Sequence, residues 1–390
     1  MIIDYFYRSN MKPESGRRTI AFVSNNSWSL YNYRLEVIRS LLLDGHRVMV
    51  MAPRDEYSAL LMDEGCAFYP LDFNNRYENP FLDLKFYFHL KKVYRHIRPD
   101  LIFHFVAKPN IYGSLAAGAL GIPSVAVITG LGYAFARKNW LYLVMLNLYK
   151  YALRKASEVW FLNNEDAKVF ISRNIIGIEK VKVLPGEGVD TGYFSPQGGK
   201  PLGGPFTFLM SARLLKSKGI GIYADAARIL KKKNFDFRCV LIGARETDHP
   251  DAIRQEDLDQ WVREGLLDYQ GFHKDVRPFL SRAHCFIFPS YYNEGVPRSL
   301  MEAAGMELPV ITSHNRGCKE VVLHRTSGYL TRMNDPFDLA DKMEQMMFLP
   351  EEERRHMGRQ GRALVIRKFE VQKIVETYRE TLGLLLGEAD

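Results

Sequence analysis

Short apolar runs alternate with longer helical patterns along the chain from Arg18 onward. The first run covers residues 19–24, and the helical pattern at 31–44 that follows it stops at Gly45. Runs that are apolar at successive positions are typical of strands buried on both faces of a sheet. Such strands, with helices between them, predict a parallel, doubly wound sheet. The other strands predicted in this series lie at 47–51, 66–72, 100–105, 123–128, 157–162 and 181–184.

The pattern restarts after residues 196–205, a segment rich in glycine and proline that is typical of a linker between domains. The fold class is therefore α/β, with two Rossmann-like domains at 18–195 and 206–367. Ligands in such sheets bind beyond the carboxyl ends of the strands, so we expect the site in a cleft between two facing domains. We expect residues 1–17 to form a loose arm and a C-terminal helix at 368–390 to pack toward the first domain. The strands predicted in the second series lie at 206–211, 237–242, 267–270, 285–289 and 309–312.

Composition narrows the class of protein. A chain of 390 residues with 47% hydrophobic and 25% charged residues is typical of a globular protein with two domains. The four cysteines include no C-x-x-C pair, which argues against disulfides or a zinc site and fits a reducing cytoplasm. The N-terminal residues lack the apolar core of a signal peptide, and we predict no transmembrane helix. The formal charge of +8 indicates an anionic partner, which could be nucleic acid, a membrane surface or a phosphorylated substrate.

The most informative stretch is 291–305, in which Glu294 and Glu302 lie on either side of Pro297. Proline suits the first turn of a helix, so we predict that a helix begins at 297. Its first N–H groups would be free donors at a positive helix end, a site for a phosphate or diphosphate. These N–H groups belong to Arg298, Ser299 and Leu300.

A diphosphate flanked by two carboxylates suits a nucleotide sugar, whose ribose and hexose hydroxyls can donate to Glu294 and Glu302. The alternative is an ordinary surface loop with two solvated glutamates. Arg213 and Lys218, which follow the first strand of the second domain, weaken that alternative, because they would neutralise a diphosphate.

Three turns of the first domain follow predicted strands and are candidate ligand loops. The first contains Asn26 and leads to Tyr31; the second contains Lys108 and Asn110, before a helix that we predict to start at Pro109. Lys108 would add a cation to that helix end, a site for an acceptor phosphate. The third contains Thr129, Gly130 and Gly132. The alternative for the first turn is a polar capping turn, and the alternative for the third is an ordinary glycine-rich turn. His104, just before the second turn, is predicted to be a packed or capping histidine.

Two segments combine basic and aromatic residues. Residues 133–155 carry no acidic residue, and 86–98 contain Lys91, Lys92, Arg95 and Arg98. These features favour helices lying in a membrane interface, although both could instead cover the sheet and show basic faces to water. The residues of the first segment assigned to membrane contact are Arg137, Lys138, Trp140, Lys150 and Arg154. Asp257 and Asp259 form a D-x-D within a charged helical pattern, so we interpret them as solvated and predict no metal.

Together these motifs resemble the retaining glycosyltransferases of family 4, which have the GT-B architecture of two facing Rossmann domains. The resemblance spans nearly the whole chain after residue 18. It includes Arg213 with Lys218, the segment 271–276, Glu294 with Glu302, and residues 317–320, together with Gly188-Val189-Asp190 and Phe194, which we assigned to the first domain. The turns at 108–113 and 129–133 resemble bacterial enzymes that add an N-acetylhexosamine to an undecaprenyl-diphosphate-linked sugar.

The resemblance implies roles for these residues. Arg213 and Lys218 would hold the diphosphate and stabilise the departing UDP. Glu302 would bind the ribose, and Glu294 would bind hexose hydroxyls or face the reacting carbon. The base would meet His273, Lys274, Asp275 and Val276, and the donor half would include Gly295, Val296, Arg298 and Ser299. Thr129 stands where many members have a histidine, so the resemblance identifies no acceptor base.

The implied activity is retaining, metal-independent transfer of GalNAc or a related N-acetylhexosamine from a UDP-sugar to an undecaprenyl-diphosphate-linked sugar. It needs no cofactor and would take place at the cytoplasmic face of the inner membrane, with the protein bound peripherally to anionic lipid and not to nucleic acid. The first alternative is a UDP-sugar 2-epimerase of the same architecture. A nucleic-acid-binding protein is suggested by the charge alone.

Overall fold

A computed structural model shows that the chain forms two compact units, each built on its own parallel sheet. The structure describes residues 17–71, 80–131, 140–196, 203–247, 249–292 and 294–387, without the side chains of 140–143. Residues 1–16 of the predicted N-terminal arm and most of the predicted linker therefore lie outside the described residues. Unit 1 comprises the chain up to Phe161, Asp166–Val183 and the chain from Val375 onward. Unit 2 comprises Leu162–Glu165 and Leu184–Ile374.

The sheet of unit 1 has seven parallel strands in the order β3-β2-β1-β4-β5-β6-β7. All seven were predicted, with ends within two residues of those observed. The order changes direction between β1 and β4, and such a switch point is where ligands bind in doubly wound sheets. The strands are β1 Thr19–Val23, β2 Arg47–Ala52, β3 Ala67–Pro70, β4 Leu101–Phe105, β5 Ser124–Ile128, β6 Glu158–Phe161 and β7 Val181–Val183.

The helices of unit 1 cover this sheet. The helix predicted at 31–44 begins earlier, at Ser27, because the Asn26 side chain caps it by accepting from the Ser29 N–H at 2.7 Å. Buried strands such as β1, in which Ile20 to Val23 have no exposed surface, require helices on both faces. The helices are α1 Ser27–Leu43, α2 Tyr57–Asp63, α3 Pro80–Ile97, α4 Ser114–Gly118, α5 Trp140–Leu153 and α6 Asn164–Ser172, with a π-helical turn at Pro109–Gly113.

The sheet of unit 2 has six parallel strands in the order β10-β9-β8-β11-β12-β13. Five were predicted. The sixth, β13, was missed, because it has four residues, begins at a glycine and follows a polar segment without an apolar run. The strands are β8 Phe206–Ser211, β9 Phe237–Ile242, β10 Asp268–Tyr269, β11 Cys285–Phe288, β12 Val310–Ser313 and β13 Gly328–Thr331. The helices are α7 Ile220–Lys231, α8 Gln255–Arg263, α9 Arg277–Arg282, α10 Arg298–Gly305, α11 Pro336–Phe348, α12 Glu351–Phe369 and α13 Val371–Leu386.

The segment 188–194 lies in unit 2 and not in the first domain, where we had placed it. The reason is backbone pairing: the Val189 N–H donates to Phe369 O at 2.9 Å, and the Val371 N–H donates to Val189 O at 3.1 Å. Val189 and Phe194 are buried in the core beside β8 and β11. The composition of 196–205 indicated a linker but could not reveal these contacts.

The C-terminal helix α13 begins in unit 2 and continues into unit 1 from Val375. Tyr378 lies in the aromatic core of unit 1, with its ring centroid 6.2 Å from that of Phe22, 4.7 Å from that of Phe103 and 4.8 Å from that of Trp160. The C-terminal helix therefore returns to the first domain, as predicted.

Candidate functional site

The predicted donor residues of unit 2 follow the carboxyl ends of its parallel strands. Arg213 comes after β8, His273 after β10 and Glu294 after β11. Because β8 and β11 are neighbours in the sheet, the turns that contain Arg213, Lys218 and Glu294 lie along one edge.

Close backbone packing brings the Lys218 turn against the loop that follows β11. A Cβ at Gly219, whose φ is 84°, would lie 2.2 Å from Pro289 O, so this position requires glycine. The Tyr291 N–H donates to Ser217 O at 3.0 Å and fixes the two turns side by side. As a result Lys218 points at the loop that carries Glu294.

Lys218 and Glu294 form a largely buried ion pair. The Lys218 Nζ donates to Glu294 Oε1 at 2.6 Å, and the side chains are 14% and 10% exposed. The Ser290 Oγ donates to the same oxygen at 2.8 Å. The ammonium also lies 5.7 Å and 5.4 Å from the ring centroids of Phe288 and Tyr292. The structure thus joins two residues that the sequence predicted separately, and it adds Ser290, which the sequence analysis missed.

Two residues after β12 hold this loop in place. The Asn315 Nδ2 donates to Ser290 O at 3.3 Å and to Tyr292 O. A Cβ at Gly317 would lie 1.1 Å from Gly295 O, so the two backbones are in direct contact. Asn315 was missed. Its only sequence signal is its position at the carboxyl end of a strand.

Arg213 is far more accessible than Lys218. Its side chain is 51% exposed, and its Nη1 lies 3.5 Å from Glu246 Oε1. Exposed pairs of this kind contribute roughly 0.2–1 kcal/mol. A ligand phosphate can therefore replace Glu246 at little cost, whereas the Lys218–Glu294 pair is held more firmly by its burial.

The helix after Glu294 begins one residue later than predicted. Pro297 is the residue before α10, with an extended ψ of 123°, and Arg298 is the first helical residue. The Leu300 N–H donates to Pro297 O at 3.2 Å, so it is not one of the free donors we predicted. Any anion site at this end of the helix therefore depends on the first two helical residues, Arg298 and Ser299.

Arg298 and Glu302 pair one turn apart on α10. The Arg298 Nε donates to Glu302 Oε1 at 3.0 Å, and the Glu302 side chain is 16% exposed. Burial disfavours the charged carboxylate and raises the pKa of Glu302 above its ordinary value, although Arg298 opposes that shift. Glu302 is thus a carboxylate that the fold holds in an unfavourable place, as is common at ligand sites.

The raised pKa of Glu302 predicts a pH dependence of stability. Between the ordinary value of 4.5 and its raised value, the native state binds more protons than the unfolded state, so stability falls as the pH rises. Glu302→Gln should remove this loss. In urea unfolding, the free energy of unfolding of the variant should therefore increase relative to that of the wild type as the pH rises through that window. Glu64→Gln is the matched control of opposite sign, because Arg39 lowers the pKa of Glu64, so stability from that pair is lost as the pH falls. Parallel pH curves for wild type and Glu302→Gln would contradict the argument.

The segment predicted to meet the base is held mainly by its own neighbours. The His273 Nε2 donates to Gln270 O at 2.9 Å, and the His273 ring packs against Phe279. Asp275 accepts from the guanidinium of Arg277, which lowers the pKa of Asp275. Lys274 is exposed, and Val276 immediately precedes α9. The structure fixes the shape of this loop without defining a partner for it.

In unit 1 the three predicted acceptor turns follow β1, β4 and β5, which are adjacent in the sheet. Asn26, Lys108 and Thr129 therefore lie along the same edge. Val106, at the end of β4, has a φ of 63°, which a β-branched residue rarely adopts. Strain of this kind, worth roughly 1–3 kcal/mol, is concentrated at functional sites.

Lys108 is ion-paired in this structure. Its Nζ lies 2.8 Å from Asp83 Oδ1, and the Tyr112 hydroxyl donates to Asp83 Oδ2 at 3.0 Å. The helix predicted to begin at Pro109 starts as the π-helical turn Pro109–Gly113. Asn110, which was predicted to bind the acceptor, is 1% exposed, and its Nδ2 donates to Val127 O at 2.9 Å. Its role in the structure is to tie this turn to β5.

The other candidate residues of unit 1 lie after β1, on α1 and after β5, and His104 lies on β4. Asn26 caps α1, and the half-buried ring of Tyr31 packs against Tyr57. Thr129 and Gly130 are half-buried after β5, whereas Gly132 lies outside the described residues. His104 is a packed histidine, as predicted, with its Nε2 3.0 Å from the Tyr94 hydroxyl, and burial lowers its pKa to about 3.

Of the residues predicted to contact a membrane, Lys150 is half-buried on α5 and Arg154 is exposed just beyond it. Arg137 and Lys138 lie outside the described residues, as does the side chain of Trp140. No helix in the described ranges combines the length and the apolar character needed to span a bilayer.

Asp257 of the D-x-D is bound by Arg254, whose guanidinium donates to both carboxylate oxygens at 2.7 and 2.9 Å. Asp259 accepts from Gln255 at 2.6 Å. Within the part of the chain that the structure describes, no three His, Cys, Asp or Glu side chains are grouped to hold a metal ion.

The chain is similar to known glycosyltransferases over most of its length. Two family models match successive parts of the chain: Glycosyl transferase 4-like over residues 19–163 and Glycosyl transferases group 1 over residues 195–364. The N,N'-diacetylbacillosaminyl-diphospho-undecaprenol alpha-1,3-N-acetylgalactosaminyltransferase of Campylobacter jejuni is 29% identical over 351 residues, covering 84% of this chain and 89% of the relative. The UDP-Gal:alpha-D-GlcNAc-diphosphoundecaprenol alpha-1,3-galactosyltransferase of Escherichia coli is 28% identical, covering 65% and 67%.

Among solved structures, a glycosyltransferase from Rickettsia africae superposes with a TM-score of 0.79 at 19% identity, covering 95% of this chain and 99% of that one. The fold is therefore the GT-B fold, and the protein is a glycosyltransferase. The chain belongs to the glycosyltransferases that these two models, Glycosyl transferase 4-like and Glycosyl transferases group 1, describe over its successive parts.

Proposed function

We propose that this enzyme transfers a sugar, GalNAc or a related N-acetylhexosamine, from a UDP-sugar to an undecaprenyl-diphosphate-linked sugar during assembly of a bacterial glycan. The names of the Campylobacter and Escherichia relatives support the class of donor and acceptor. The observation that carries the proposal is the Lys218–Glu294 pair at the carboxyl edge of unit 2, in line with the turn that carries Arg213.

The charges at this edge suit a diphosphate between two sugars. Lys218 has three N–H donors, so it can keep Glu294 and still donate to a phosphate oxygen. Arg213 can exchange its exposed pair with Glu246 for the same diphosphate. In this proposal both cations stabilise the negative charge that grows on UDP as it leaves. Glu294 then accepts from hexose hydroxyls, and Glu302 accepts from the ribose.

The proposed transfer retains the configuration at the reacting carbon and requires no metal. The bond from the hexose C1 to the phosphate oxygen breaks as the acceptor oxygen bonds to C1 on the same face. The departing phosphate oxygen takes the acceptor proton, so no protein base is needed. Thr129, whose hydroxyl is a weak base, is compatible with this route. Lys108 would receive the acceptor diphosphate by exchanging its pair with Asp83.

The proposal also places the enzyme peripherally at the cytoplasmic face of the membrane that holds the lipid-linked acceptor. The net charge of +8 favours an anionic surface.

The experiment that tests the proposed transfer is an assay of a panel of UDP-sugars against a detergent-dispersed polyprenyl-diphosphate sugar and against the free sugar. We expect transfer to the lipid-linked acceptor from a UDP-N-acetylhexosamine, with an α linkage in the product. Transfer only to the free sugar, or interconversion of the UDP-sugar without an acceptor, as in an epimerase, would overturn the proposal.

A further inference from the structure

Helix α3 exposes an unusual number of large apolar side chains. Its inner face is buried in the core of unit 1, where Phe86, Leu90, Val93, Tyr94 and Ile97 pack. Its first turns nevertheless expose Phe81 by 83%, Leu82 by 48%, Leu84 by 53% and Phe88 by 59%. Among the described side chains of the other helices, which leave out those of 140–143 on α5, no helix has more than two large hydrophobic ones exposed. Single exposed apolar residues are ordinary, whereas four on one helix indicate a contact surface.

The same side of α3 becomes basic toward its C-terminal end. Lys85, Lys92 and Arg95 are exposed. Lys85 lies four residues after Phe81, and Lys92 and Arg95 lie four and seven residues after Phe88, which places these cations and phenyl rings on one helical face. We name this surface, formed by residues 81, 82, 84, 85, 88, 92 and 95, the outer face of α3. The sequence predicted a basic, aromatic helix over 86–98, but the exposed apolar part lies before most of that range.

The acidic residue of α3 does not offset this charge. Asp83 is 17% exposed and already accepts from Lys108 at 2.8 Å and from Tyr112 at 3.0 Å. Its ion pair joins α3 to the turn after β4, which is the turn predicted to bind an acceptor phosphate. A surface that α3 contacts is therefore connected by one ion pair to the acceptor side of unit 1.

The order of side chains along the outer face identifies the chemistry of a partner. Exposed apolar residues extend over about 10 Å from Phe81 to Phe88, with Lys85 among them, and the other two cations, Lys92 and Arg95, lie within about a further 10 Å along the helix. A lipid–water interface has the same order, with acyl chains below anionic headgroups. A nucleic acid would match the cations but not the exposed phenyl and leucine side chains.

We propose that the outer face of α3 is a membrane-docking surface for anionic lipid. Leu82, Leu84 and Phe88 enter the acyl region, while Lys92 and Arg95 contact headgroup phosphates. This assigns the membrane contact predicted for residues 86–98 to one face of α3 and extends it to the apolar residues that precede that segment. The proposal rests on the proposed function in one respect, because a lipid-linked acceptor is what brings the enzyme to a membrane.

The test is sedimentation of the full-length protein with vesicles of phosphatidylcholine, with and without phosphatidylglycerol, and with no acceptor present. Leu84→Gln with Phe88→Gln should reduce binding to both kinds of vesicle. Lys92→Glu with Arg95→Glu should reduce binding to phosphatidylglycerol vesicles about 25-fold, from roughly fivefold per basic residue. Matched controls on exposed sites of unit 2, Leu323→Gln with Phe337→Gln and Lys232→Glu with Arg263→Glu, should bind as the wild type does.

Unchanged vesicle binding by both α3 variants would overturn the docking proposal. So would a change of oligomeric state in the Leu84→Gln, Phe88→Gln variant without loss of vesicle binding, because the outer face would then bind a second copy. Thermal unfolding of each variant verifies that it is folded. Transfer by the wild type to a detergent-dispersed acceptor tests the proposed function separately, since that assay needs no bilayer.

Discussion

Lys218→Met should lower kcat by about 10²- to 10³-fold, the cost typical of removing one preorganised charge stabiliser from a reaction centre. Methionine keeps most of the length and the apolar stem of lysine, so the phenyl and phenol rings beside it retain their contacts. The measurement is steady-state transfer with saturating donor. Lys216→Met is the matched control, because Lys216 is exposed in the same turn and its replacement should leave kcat unchanged.

A second variant separates the electrostatic role of Lys218 from its structural one. Lys218→Met alone leaves Glu294 buried without its cation, which should destabilise the fold by about 3 kcal/mol. Lys218→Met with Glu294→Gln removes both charges, so the free energy of unfolding should return to within about 1 kcal/mol of the wild type. The kcat of this double variant should stay low, because the departing UDP still lacks its cation. Recovery of kcat together with stability would show that Lys218 only supports the loop.

Gly317→Ala should lower kcat about 100-fold through a displacement of the Glu294 loop. An added Cβ would coincide with Gly295 O, at 1.1 Å, and would lie 3.0 Å from Glu294 O. Both atoms are backbone, so the overlap can be relieved only by moving one turn away from the other. A shift of about 1 Å at a reaction centre is sufficient for a loss of this size. Steady-state kinetics together with the free energy of unfolding measures the effect.

Gly221→Ala is the control for the added methyl group. Gly221 lies on α7 in the same unit, and its added Cβ would meet Trp261 at an ordinary 3.8 Å. Alanine is the better helix former, so this variant should be as stable as the wild type or more stable by roughly 0.5–1 kcal/mol. If Gly317→Ala behaved like Gly221→Ala, the loop after β12 would have no part in holding Glu294.

The sheets could be predicted from sequence because both are buried on two faces. A strand such as β1 is apolar and fully buried from Ile20 to Val23, and that pattern has few other solutions. β13 was not predicted, because four residues starting at a glycine carry no such pattern. The assignment of 188–194 to unit 2 was not predicted either, because it depends on backbone pairing with residues 369–371, nearly two hundred positions away.

At the candidate site the sequence identified cations and carboxylates but not how they pair. Lys218 and Glu294 were assigned separate roles, and the structure shows that each is the other's partner. Ser290 and Asn315 carry no charge and belong to no spaced motif, so only three-dimensional proximity reveals them. Asn110 is the opposite case, because the sequence marks it as a polar residue in a candidate turn, whereas the structure shows it buried and tying that turn to β5.

The position of Tyr378 sets an order for the synthesis of this protein. A ribosome makes β1, β4 and β6 long before it makes α13, and until then Phe22, Phe103 and Trp160 lack the ring that packs among them. The core of unit 1 therefore stays incomplete while the whole of unit 2 is translated and can fold. A stop codon that removes only the last helix would leave unit 2 largely intact and damage unit 1, whose strands are encoded at the other end of the gene.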